Sequence, residues 1–306
     1  MKISGFTVVR NADKFYFPIK QCIESVLPVV DEFIVALGNC DEGDRTEEII
    51  RSIGSEKVKI FHRVWDESKF KNGFILRDET TFALQQCTGD WCIYLQADEL
   101  MHEKDHALIK QYCQRFLEDK EVHGFLCRYQ HFFGDYNHYA KSHAWYANEI
   151  RIVKNHMGIE SYWDAQSFRI NGSDKMNVIQ TPIRIFHYGW VRPPQIMTSK
   201  RKEQDKLHHG ADMPREEVKG VDYFDYGPLG RLRWFDTKDH PAVLQEWITK
   251  MNWKDKLDMG KDYKALTRPK VLHERTKYRL ISFIENYIMH RQIFGWKNWN
   301  LVRKKL

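Results

Sequence analysis

The chain has 306 residues, which suffices for one large α/β domain or for such a domain with an appendage. Hydrophobic residues make up 42% of the sequence, and no apolar run approaches the roughly 18 to 20 residues that span a bilayer. The formal net charge is +6, but residues 268–306 alone sum to +8. The basic character therefore belongs to the tail and does not indicate nucleic-acid binding.

The N-terminus and the cysteines indicate a cytoplasmic protein. Residues 1–10 are typical of a first core strand rather than of a signal peptide, because the apolar run is short and no small-residue cleavage site follows it. The six cysteines show no C-x-x-C spacing, and four of them lie in apolar segments. This pattern favours buried, reduced thiols over disulfides or a zinc site.

The first hundred residues alternate between predicted strands and predicted helices. Strands are predicted at 3–9, 32–37, 58–61 and 91–95, and helices at 18–26, 45–53 and 74–86. This order predicts a parallel sheet covered by helices. Neither G-x-G-x-x-G nor G-x-x-x-x-G-K-[ST] is present, so a nucleotide bound here must have its phosphates held in another way.

The fourth predicted strand ends in two acids. Trp91–Leu95 is a short apolar run typical of a buried strand, and Asp98 and Glu99 follow it closely. Ligands bind at the carboxyl ends of strands in α/β sheets, where a carboxylate can hold a divalent cation that in turn holds a phosphate. A strand that simply leaves the core into a polar loop is the alternative, and the local pattern favours neither.

Five segments within residues 1–100, in this order, resemble the family-2 glycosyltransferases of the GT-A fold. They are Arg10-Asn11, residues 31–35, Gly38 with Asp44-Arg45-Thr46, Arg77 with Gly89-Asp90-Trp91, and residues 95–99. The sequence His187-Tyr188-Gly189-Trp190 resembles the family more locally. The resemblance implies a Rossmann-like, mostly parallel central sheet flanked by helices. It implies a nucleotide-sugar-binding and catalytic domain at 1–192, followed at 193–306 by a helical, basic region that packs on the core or contacts a membrane or partner.

The resemblance also implies roles for the donor-binding residues. Arg10, Asn11 and Asp44 are expected to line the nucleoside pocket. Arg77 is expected near the phosphates, where a fixed cation suits a diphosphate. The alternatives are a helix N-cap for Asp44 and a solvated helix face for Arg77.

The metal motif of the family is Asp-x-Asp, from which this chain departs. Gln96 stands at the first acidic position and is expected to touch the sugar or the ribose, since it is a poor cation ligand. Asp98 is expected to bind Mg²⁺ or Mn²⁺, with Glu99 as a supporting acid. His187 follows a strand-like run and is the second expected ligand; a core-capping or stacking histidine is the alternative.

An inverting transfer requires a carboxylate that takes the proton of the acceptor hydroxyl. Asp164 is the first candidate because Trp163 beside it can pack against a sugar face, and Glu149 is the second. An ion pair with Arg151 or Lys154 is the alternative for Glu149. Trp163 and Trp190 are expected in the acceptor cleft, and the aromatic segment 125–147 forms either part of that cleft or a packed hairpin.

The C-terminal region is predicted to be helical and basic. In a helix at 195–209, Lys200 and Lys202 either reach the donor phosphates or lie on a solvated face, and the pattern favours the solvated face. An amphipathic segment is predicted at 278–293, followed by Trp296 and Trp299. It has two interpretations of about equal weight: contact with anionic lipid, or packing on the core or on a second subunit.

These observations predict a cytoplasmic glycosyltransferase, soluble or peripheral at the inner face of the membrane. It would move a sugar from a nucleotide-diphosphate sugar to a glycan or lipid-linked glycan, as in polysaccharide biosynthesis. We expect a bound divalent metal and no nucleic-acid partner. The sequence is compatible with a homodimer and with a monomer. The alternative is a catalytically altered GT-A protein or a nucleotidyltransferase-like nucleotide binder, which Gln96 keeps open. Residues 9–12 lack the glycine-rich, basic loop typical of nucleotidyltransferases, which favours sugar transfer.

Overall fold

Four parallel strands form one half of the sheet in the computed structural model, which describes residues 1–210, 222–263, 266, 268–290, 292–293, 295, 297–304 and 306. The β-α units run in chain order as β1 (Ile3–Val9), α1 (Ile19–Glu24), β2 (Glu32–Leu37), α2 (Thr46–Arg51), β3 (Val58–His62), α3 (Phe74–Gln85) and β4 (Trp91–Tyr94). The strands lie side by side in the order β3-β2-β1-β4, and every neighbouring pair is parallel. The elements predicted for the first hundred residues are confirmed, with bounds that differ by at most two residues.

The second half of the sheet is mixed. Its elements are β5 (Glu99–Met101), α4 (His106–Arg115), β6 (Gly124–Phe133), β7 (His138–Ala140), β8 (Asn148–Lys154), β9 (Ile159–Tyr162), β10 (Ser167–Ile170) and β11 (Asp174–Trp190). The order continues β4-β8-β6-β11-β10-β9, with β8 antiparallel to both neighbours and β11 parallel to β6. The predicted α/β class with helices flanking the sheet is therefore confirmed, and the parallel pairing is strongest in the N-terminal half.

Alternation along the strands places helices on both faces of the sheet. In β4, Trp91 and Ile93 belong to a core cluster with α1 and α4, whereas Cys92 and Tyr94 belong to a second cluster with α3. All four side chains are buried, because successive residues of a strand point to opposite faces and both faces are covered. All six cysteines are free thiols, and five are buried.

The region after residue 192 contributes both helices and strands. It contains α5 (Pro194–His209), β12 (Arg233–Trp234), α6 (Gln245–Thr249), α7 (Thr276–Phe283) with a π-helical turn at Ile284–Ile288, and β13 (Trp299–Leu301). The two short strands pair with β7 and β11, respectively. Trp253 is buried in the main core, where its indole N–H donates to the Gly134 carbonyl at 2.9 Å.

The predicted amphipathic C-terminal segment is only partly helical. Its helix ends at Ile288 rather than at 293, and four of its apolar side chains are more than half exposed: Leu280, Phe283, Tyr287 and Ile288. Trp296 and Lys305 lie outside the described residues. Among the helices of the described part of the chain, none has the length and apolar character needed to cross a membrane.

Candidate functional site

A cavity of about 330 Å³, here called the first cavity, opens where β1 and β4 end. Its wall contains residues that follow these strands, residues from the turn between β9 and β10, the end of β11, and one face of α5. The carboxyl ends of parallel strands meet at one edge of the sheet, which explains why distant segments converge there. The wall gathers these predicted site residues: Arg10, Asn11, Gln96, Asp98, Asp164, His187 and Trp190.

Asp98 is buried at this cavity among three basic side chains. Its Oδ2 accepts a hydrogen bond from Lys200 Nζ at 3.2 Å and lies 3.7 Å from an Arg192 terminal nitrogen, while His187 Nε2 lies 3.9 Å from Oδ1. Burial raises the pKa of Asp98, but the charges of Lys200, His187 and Arg192 outweigh it and hold that pKa at about 2. Asp98 is therefore ionised at neutral pH.

Lys200 lies inside the first cavity, so the expectation that it is on a solvated helix face is wrong. The side chain is buried, and its ammonium group donates to Asp98 and, at 2.9 Å, to the Gly189 carbonyl. Burial and the nearby Arg192 lower the pKa of Lys200 to about 8. Two cations thus share one buried carboxylate, so positive charge exceeds negative charge in the immediate surroundings of Asp98, while the acids Asp164 and Glu203 line other parts of the cavity.

His187 lies at the end of β11, where the strand is irregular. The pairing of β11 with β6 shifts register between His187 and Trp190, and such irregularities re-aim side chains next to sites. Burial lowers the pKa of His187 to about 4, so the ring is neutral. A Cβ on Gly189 would lie 2.4 Å from His187 Nε2 and 3.1 Å from Asp98 Oδ2, so only glycine keeps this space open.

Asp98 and His187 suit a divalent cation as a pair of ligands. A carboxylate oxygen and an imidazole nitrogen 3.9 Å apart both face the first cavity. Among the residues that the structure describes, no group of three or more His, Cys, Asp or Glu side chains forms a metal site by itself. An ion held by this pair therefore takes its remaining ligands from a substrate or from water.

The residues after β1 are held by the loop that follows β2. Asn11 has a left-handed backbone (φ +56°), and its side-chain oxygen accepts from the Asp41 backbone N–H at 2.7 Å. Arg10 Nε donates to the Asn39 carbonyl at 3.0 Å, and its guanidinium lies 5.6 Å from the centre of the Trp65 ring. Both side chains line the first cavity in fixed orientations.

Two predicted donor-binding residues lie outside the cavity wall. Asp44 accepts from the backbone N–H groups of Thr46 and Lys14, both at 2.9 Å, so its carboxylate organises the start of α2. Arg77 pairs with its neighbour Asp78 at 2.8 Å on a partly exposed face of α3. Arg77 thus lies on a partly exposed helix face, as its structural alternative states, whereas the N-cap residue of α2 is Arg45 and Asp44 stands one position before it.

Asp164 projects from a tight turn between β9 and β10. Its neighbours Trp163 and Ala165 both have left-handed backbones, with φ of +60° and +63°. Such conformations cost of order 1–3 kcal/mol each and cluster at functional sites. Within the described part of the chain, the buried Asp164 Oδ1 has no hydrogen-bond partner.

A second cavity, of about 910 Å³, adjoins the first and shares the wall residues Trp145, Tyr146 and Gln166 with it. Glu149 and the half-exposed Trp163 line only this second cavity, so the structure does not bring Glu149 to Asp98. The remaining wall is rich in aromatic and amide side chains, which include Asn148, Tyr162, Gln180, Gln292, Asn298 and Trp299.

Glu149 is a buried carboxyl that has no ion-pair partner among the described residues. Its Oε1 accepts from Gln166 Nε2 at 3.1 Å, while Oε2 has no hydrogen-bond partner among the described residues. Burial raises the pKa of Glu149 to about 7. The alternative ion pair with Arg151 does not form, because Arg151 donates instead to both oxygens of Glu99, at 2.8 and 3.0 Å.

Glu99 supports the loop after β4 from within the core. It is fully buried, receives a hydrogen bond from the Tyr129 hydroxyl at 2.6 Å, and accepts from the Gln96 backbone N–H at 3.1 Å. This carboxylate therefore fixes the backbone that carries Gln96 and Asp98 and is absent from the wall of the first cavity.

Sequence reasoning missed the importance of Lys200 and did not identify Arg192 or His131. A signal for Lys200 exists, because Met197, Lys200, Gln204 and Leu207 follow the helical spacing of one face, and all four line the first cavity. A lysine between apolar residues on that face indicates a buried cation. For Arg192 and His131 the sequence carries no such signal.

No protein-family model and no curated protein matches the sequence. Solved structures with a partial likeness include glucosyl-3-phosphoglycerate synthase from Mycobacterium tuberculosis in complex with Mn²⁺, UDP and phosphoglyceric acid, at 17% identity over 43% of each chain with a TM-score of 0.28. S. aureus TarS 1-349 in complex with UDP is 17% identical over 43% of this chain and 36% of its own, with a TM-score of 0.30. Mannosyl-3-phosphoglycerate synthase from Rubrobacter xylanophilus is 19% identical over 43% of this chain and 41% of its own, with a TM-score of 0.29.

Two of these three structures contain UDP, and one of these two also contains Mn²⁺. The matched part is less than half of this chain and less than half of each of the three proteins. A likeness of this extent carries no argument about the activity of the present chain, which must be argued from its own site.

Proposed function

We propose that this protein is a glycosyltransferase that moves a sugar from a nucleotide-diphosphate sugar to a glycan or lipid-linked glycan. The observation that carries the proposal is the buried group of Asp98, Lys200 and Arg192 at the edge of the sheet where β1 and β4 end. Lys200 and Arg192 together exceed the charge of Asp98, and this local group of fixed cations suits a diphosphate, which gains negative charge as it leaves.

The donor occupies the first cavity in this proposal. Arg10, Asn11 and Gln96 line the side formed by the β1 and β4 loops, where a nucleoside and a sugar find hydrogen-bonding groups. Lys200 contacts the diphosphate, because it lines the cavity and the Asp98 carboxylate with which it pairs is shared with Arg192. Asp44 and Arg77 have no part in donor binding.

Mg²⁺ or Mn²⁺ would be held by Asp98 and His187, with the other ligands supplied by the diphosphate and water. When bound, the ion adds charge neutralisation of the leaving group. Lys200, which bonds the other oxygen of Asp98, Oδ2, also neutralises charge on the leaving group. The protein itself therefore contributes part of this stabilisation.

Asp164 is the general base in the proposal. Its Oδ1, which has no hydrogen-bond partner among the described residues, accepts the proton of the acceptor hydroxyl while the hydroxyl oxygen bonds to the anomeric carbon. The bond from that carbon to the diphosphate oxygen breaks, and the electron pair leaves with the diphosphate beside Lys200. Attack from the side opposite the leaving group inverts the anomeric configuration.

The acceptor enters through the second cavity. Its shared wall of Trp145, Tyr146 and Gln166 brings a molecule bound there next to the first cavity. Exposed Trp163 offers an aromatic face to a sugar ring, and the amide groups of the wall offer donors and acceptors to hydroxyls. This chemistry suits a glycan, and Glu149 then binds an acceptor hydroxyl rather than taking its proton.

A binding and product experiment tests the proposal. The melting temperature is measured with UDP, GDP or CMP, each with and without Mn²⁺, and nucleotide sugars are then incubated with the protein and analysed for products. We expect one nucleotide to stabilise the protein and its sugar derivative to release the nucleoside diphosphate. Asp98→Asn should abolish both effects, whereas Asp236→Asn, at a partly exposed site far along the chain from the cavity residues, should preserve them. No stabilisation by any nucleotide, or release of pyrophosphate from a nucleoside triphosphate instead, contradicts sugar transfer.

A further inference from the structure

Two buried histidines share a hydrogen bond behind the first cavity. His131 of β6 lies opposite His187 of β11 in the parallel register of these strands, and their Nδ1 atoms are 2.8 Å apart. The other ring nitrogen of His131, Nε2, lies 2.7 Å from the Tyr146 carbonyl oxygen. His187 Nε2 faces Asp98 Oδ1 across the cavity wall at 3.9 Å.

This chain of contacts determines where the protons lie. A carbonyl oxygen only accepts, so His131 Nε2 carries a proton and donates it to Tyr146. In a neutral ring, Nδ1 of His131 then has a lone pair, and the hydrogen bond between the rings requires a proton on His187 Nδ1. Both rings are buried, which favours their neutral forms, and a hydrogen bond between two Nδ1 atoms requires a lone pair on one of them. His187 Nε2 is consequently left with a lone pair directed at the cavity.

A lone pair that faces a carboxylate is suited to a cation between or beside them. Both Asp98 Oδ1 and His187 Nε2 are acceptors, whereas Lys200 donates to the other carboxylate oxygen, Oδ2. Gly189 leaves the space next to Nε2 and the carboxylate free, since any Cβ there would clash with the imidazole. Ligating histidines typically donate their second ring N–H to a partner that fixes the tautomer.

We propose that His131 is a positioning residue, which holds His187 in the tautomer with an unprotonated Nε2 so that His187 and Asp98 form a ready pair of ligands for a divalent cation. The proposal rests on the proposed function for the identity of the ion's other partner, a nucleoside diphosphate. The tautomer itself is a property of the protein alone, and it exists before any ligand binds.

The first experiment reads the tautomer without metal or nucleotide. Protein labelled with ¹⁵N in histidine is studied by NMR, and the His187 signals are assigned with His187→Ala. We expect wild-type His187 to have a protonated Nδ1 and an unprotonated Nε2. His131→Phe removes the acceptor and should shift His187 toward a protonated Nε2, whereas His131→Asn, whose side-chain oxygen can accept from Nδ1–H, should preserve the wild-type pattern.

His240→Phe is the matched control. His240 is equally buried and likewise bonds a backbone carbonyl, that of Tyr136 at 2.8 Å, while its other nitrogen meets the Tyr188 hydroxyl at 2.7 Å. It has no bond to His187, so His240→Phe should leave the His187 tautomer unchanged. If wild-type Nε2 is protonated, or if His131→Phe and His240→Phe have the same effect on His187, the proposal is overturned.

The second experiment measures Mn²⁺ affinity by the EPR signal of the free ion, with UDP present. Loss of the partner that orients a ligand typically weakens metal binding about 10- to 100-fold, and we expect this in His131→Phe but not in His131→Asn or His240→Phe. Equal affinity in His131→Phe and wild type overturns the role of His131 in cation binding. If wild-type protein binds no Mn²⁺ with any nucleotide, the proposed function fails, while the NMR result still decides whether His131 fixes His187.

Discussion

At the level of single residues, the main feature of the first cavity is Asp98, a buried carboxylate that pairs with two buried cations. Removing one partner of a buried ion pair typically costs 3–5 kcal/mol, because the other charge is left without compensation. Asp98 has two such partners, Lys200 and Arg192, and both are buried. The arrangement is costly in the free protein and becomes favourable when an anion arrives.

Lys200→Met should weaken nucleoside diphosphate binding about 10- to 100-fold, since a charge-assisted hydrogen bond contributes roughly 1.5–3 kcal/mol. Asp98 keeps Arg192 as a partner, so we expect the variant to fold. Titration calorimetry with the nucleotide that stabilises wild type best measures the loss. Lys202→Met is the control on the same helix, outside the cavity wall. An equal loss in both variants would contradict a specific contact of Lys200.

Asp164→Asn should lower kcat about 10²- to 10⁴-fold and leave nucleotide binding unchanged, because a general base acts on the proton and not on the donor. Initial-rate measurements with a donor and acceptor, together with calorimetry, separate the two effects. Glu149→Gln is the comparison, and it should retain far more of kcat. The opposite ranking of the two variants would make Glu149 the base.

Glu149→Gln should also change how stability depends on pH. Burial raises the pKa of Glu149 from its ordinary 4.5 to about 7, so the folded protein binds this proton more tightly than the unfolded chain. The free energy of unfolding therefore falls as the pH rises from about 5 to about 8, by about 2–3 kcal/mol from this group.

Glutamine carries no such proton, so Glu149→Gln should gain stability relative to wild type over that range. Urea unfolding at about pH 5 and about pH 8 measures the difference, with Glu56→Gln as the control at an exposed position. A difference that stays constant with pH would show that Glu149 does not titrate in this range.

At the level of elements, α5 and α7 present opposite cases. α5 directs Met197, Lys200, Gln204 and Leu207 into the first cavity, so its inner face completes a site that the sheet begins. α7 and the turn after it leave Leu280, Phe283, Tyr287 and Ile288 in solvent. Basic residues of α7, which include Lys277 and Arg279, adjoin this apolar surface.

Contact of α7 with a membrane surface is a proposal that this pattern supports. A basic helix with exposed apolar side chains binds anionic interfaces through both charge and buried area. We expect the protein to sediment with vesicles that contain phosphatidylglycerol and not with pure phosphatidylcholine vesicles. Phe283→Glu with Ile288→Glu should abolish this binding, whereas Met259→Glu, exposed elsewhere, should not. Binding that survives the double substitution excludes this face.

At the level of the whole molecule, the site lies where the two halves of the sheet meet. The parallel half supplies Asn11 and Asp98 at strand ends, and the mixed half supplies His187 from β11 and Asp164 from the β9–β10 turn. The pairing of β11 with both β5 and β6 links these contributions, since His187 lies opposite Glu99 on one side and His131 on the other. Loss of this register would separate His187 from Asp98, the two residues proposed to hold the cation.

Local patterns determined much of the parallel half. The strands β1, β2 and β4 are short apolar runs bounded by turn residues, and the position of Asp98 after β4 follows directly from the strand that precedes it. The order of β-α units likewise determines a parallel sheet with its strand ends at one edge. The individual strands and helices depend on residues that are near one another in sequence, whereas their pairing joins distant residues, such as Ile3 and Trp91.

Only the tertiary structure decided the surroundings of Asp98. Whether Lys200 is solvated or buried depends on how α5 docks, and whether His131 meets His187 depends on the register of two strands whose paired residues are 56 positions apart. Asp44 and Arg77 instead bond groups outside the first cavity. Asp44 accepts from the backbone N–H groups of Thr46 and Lys14, and Arg77 donates to Asp78. The sequence thus determined that Asp98 follows the end of β4. Long-range packing determined that Lys200 and Arg192 lie beside it.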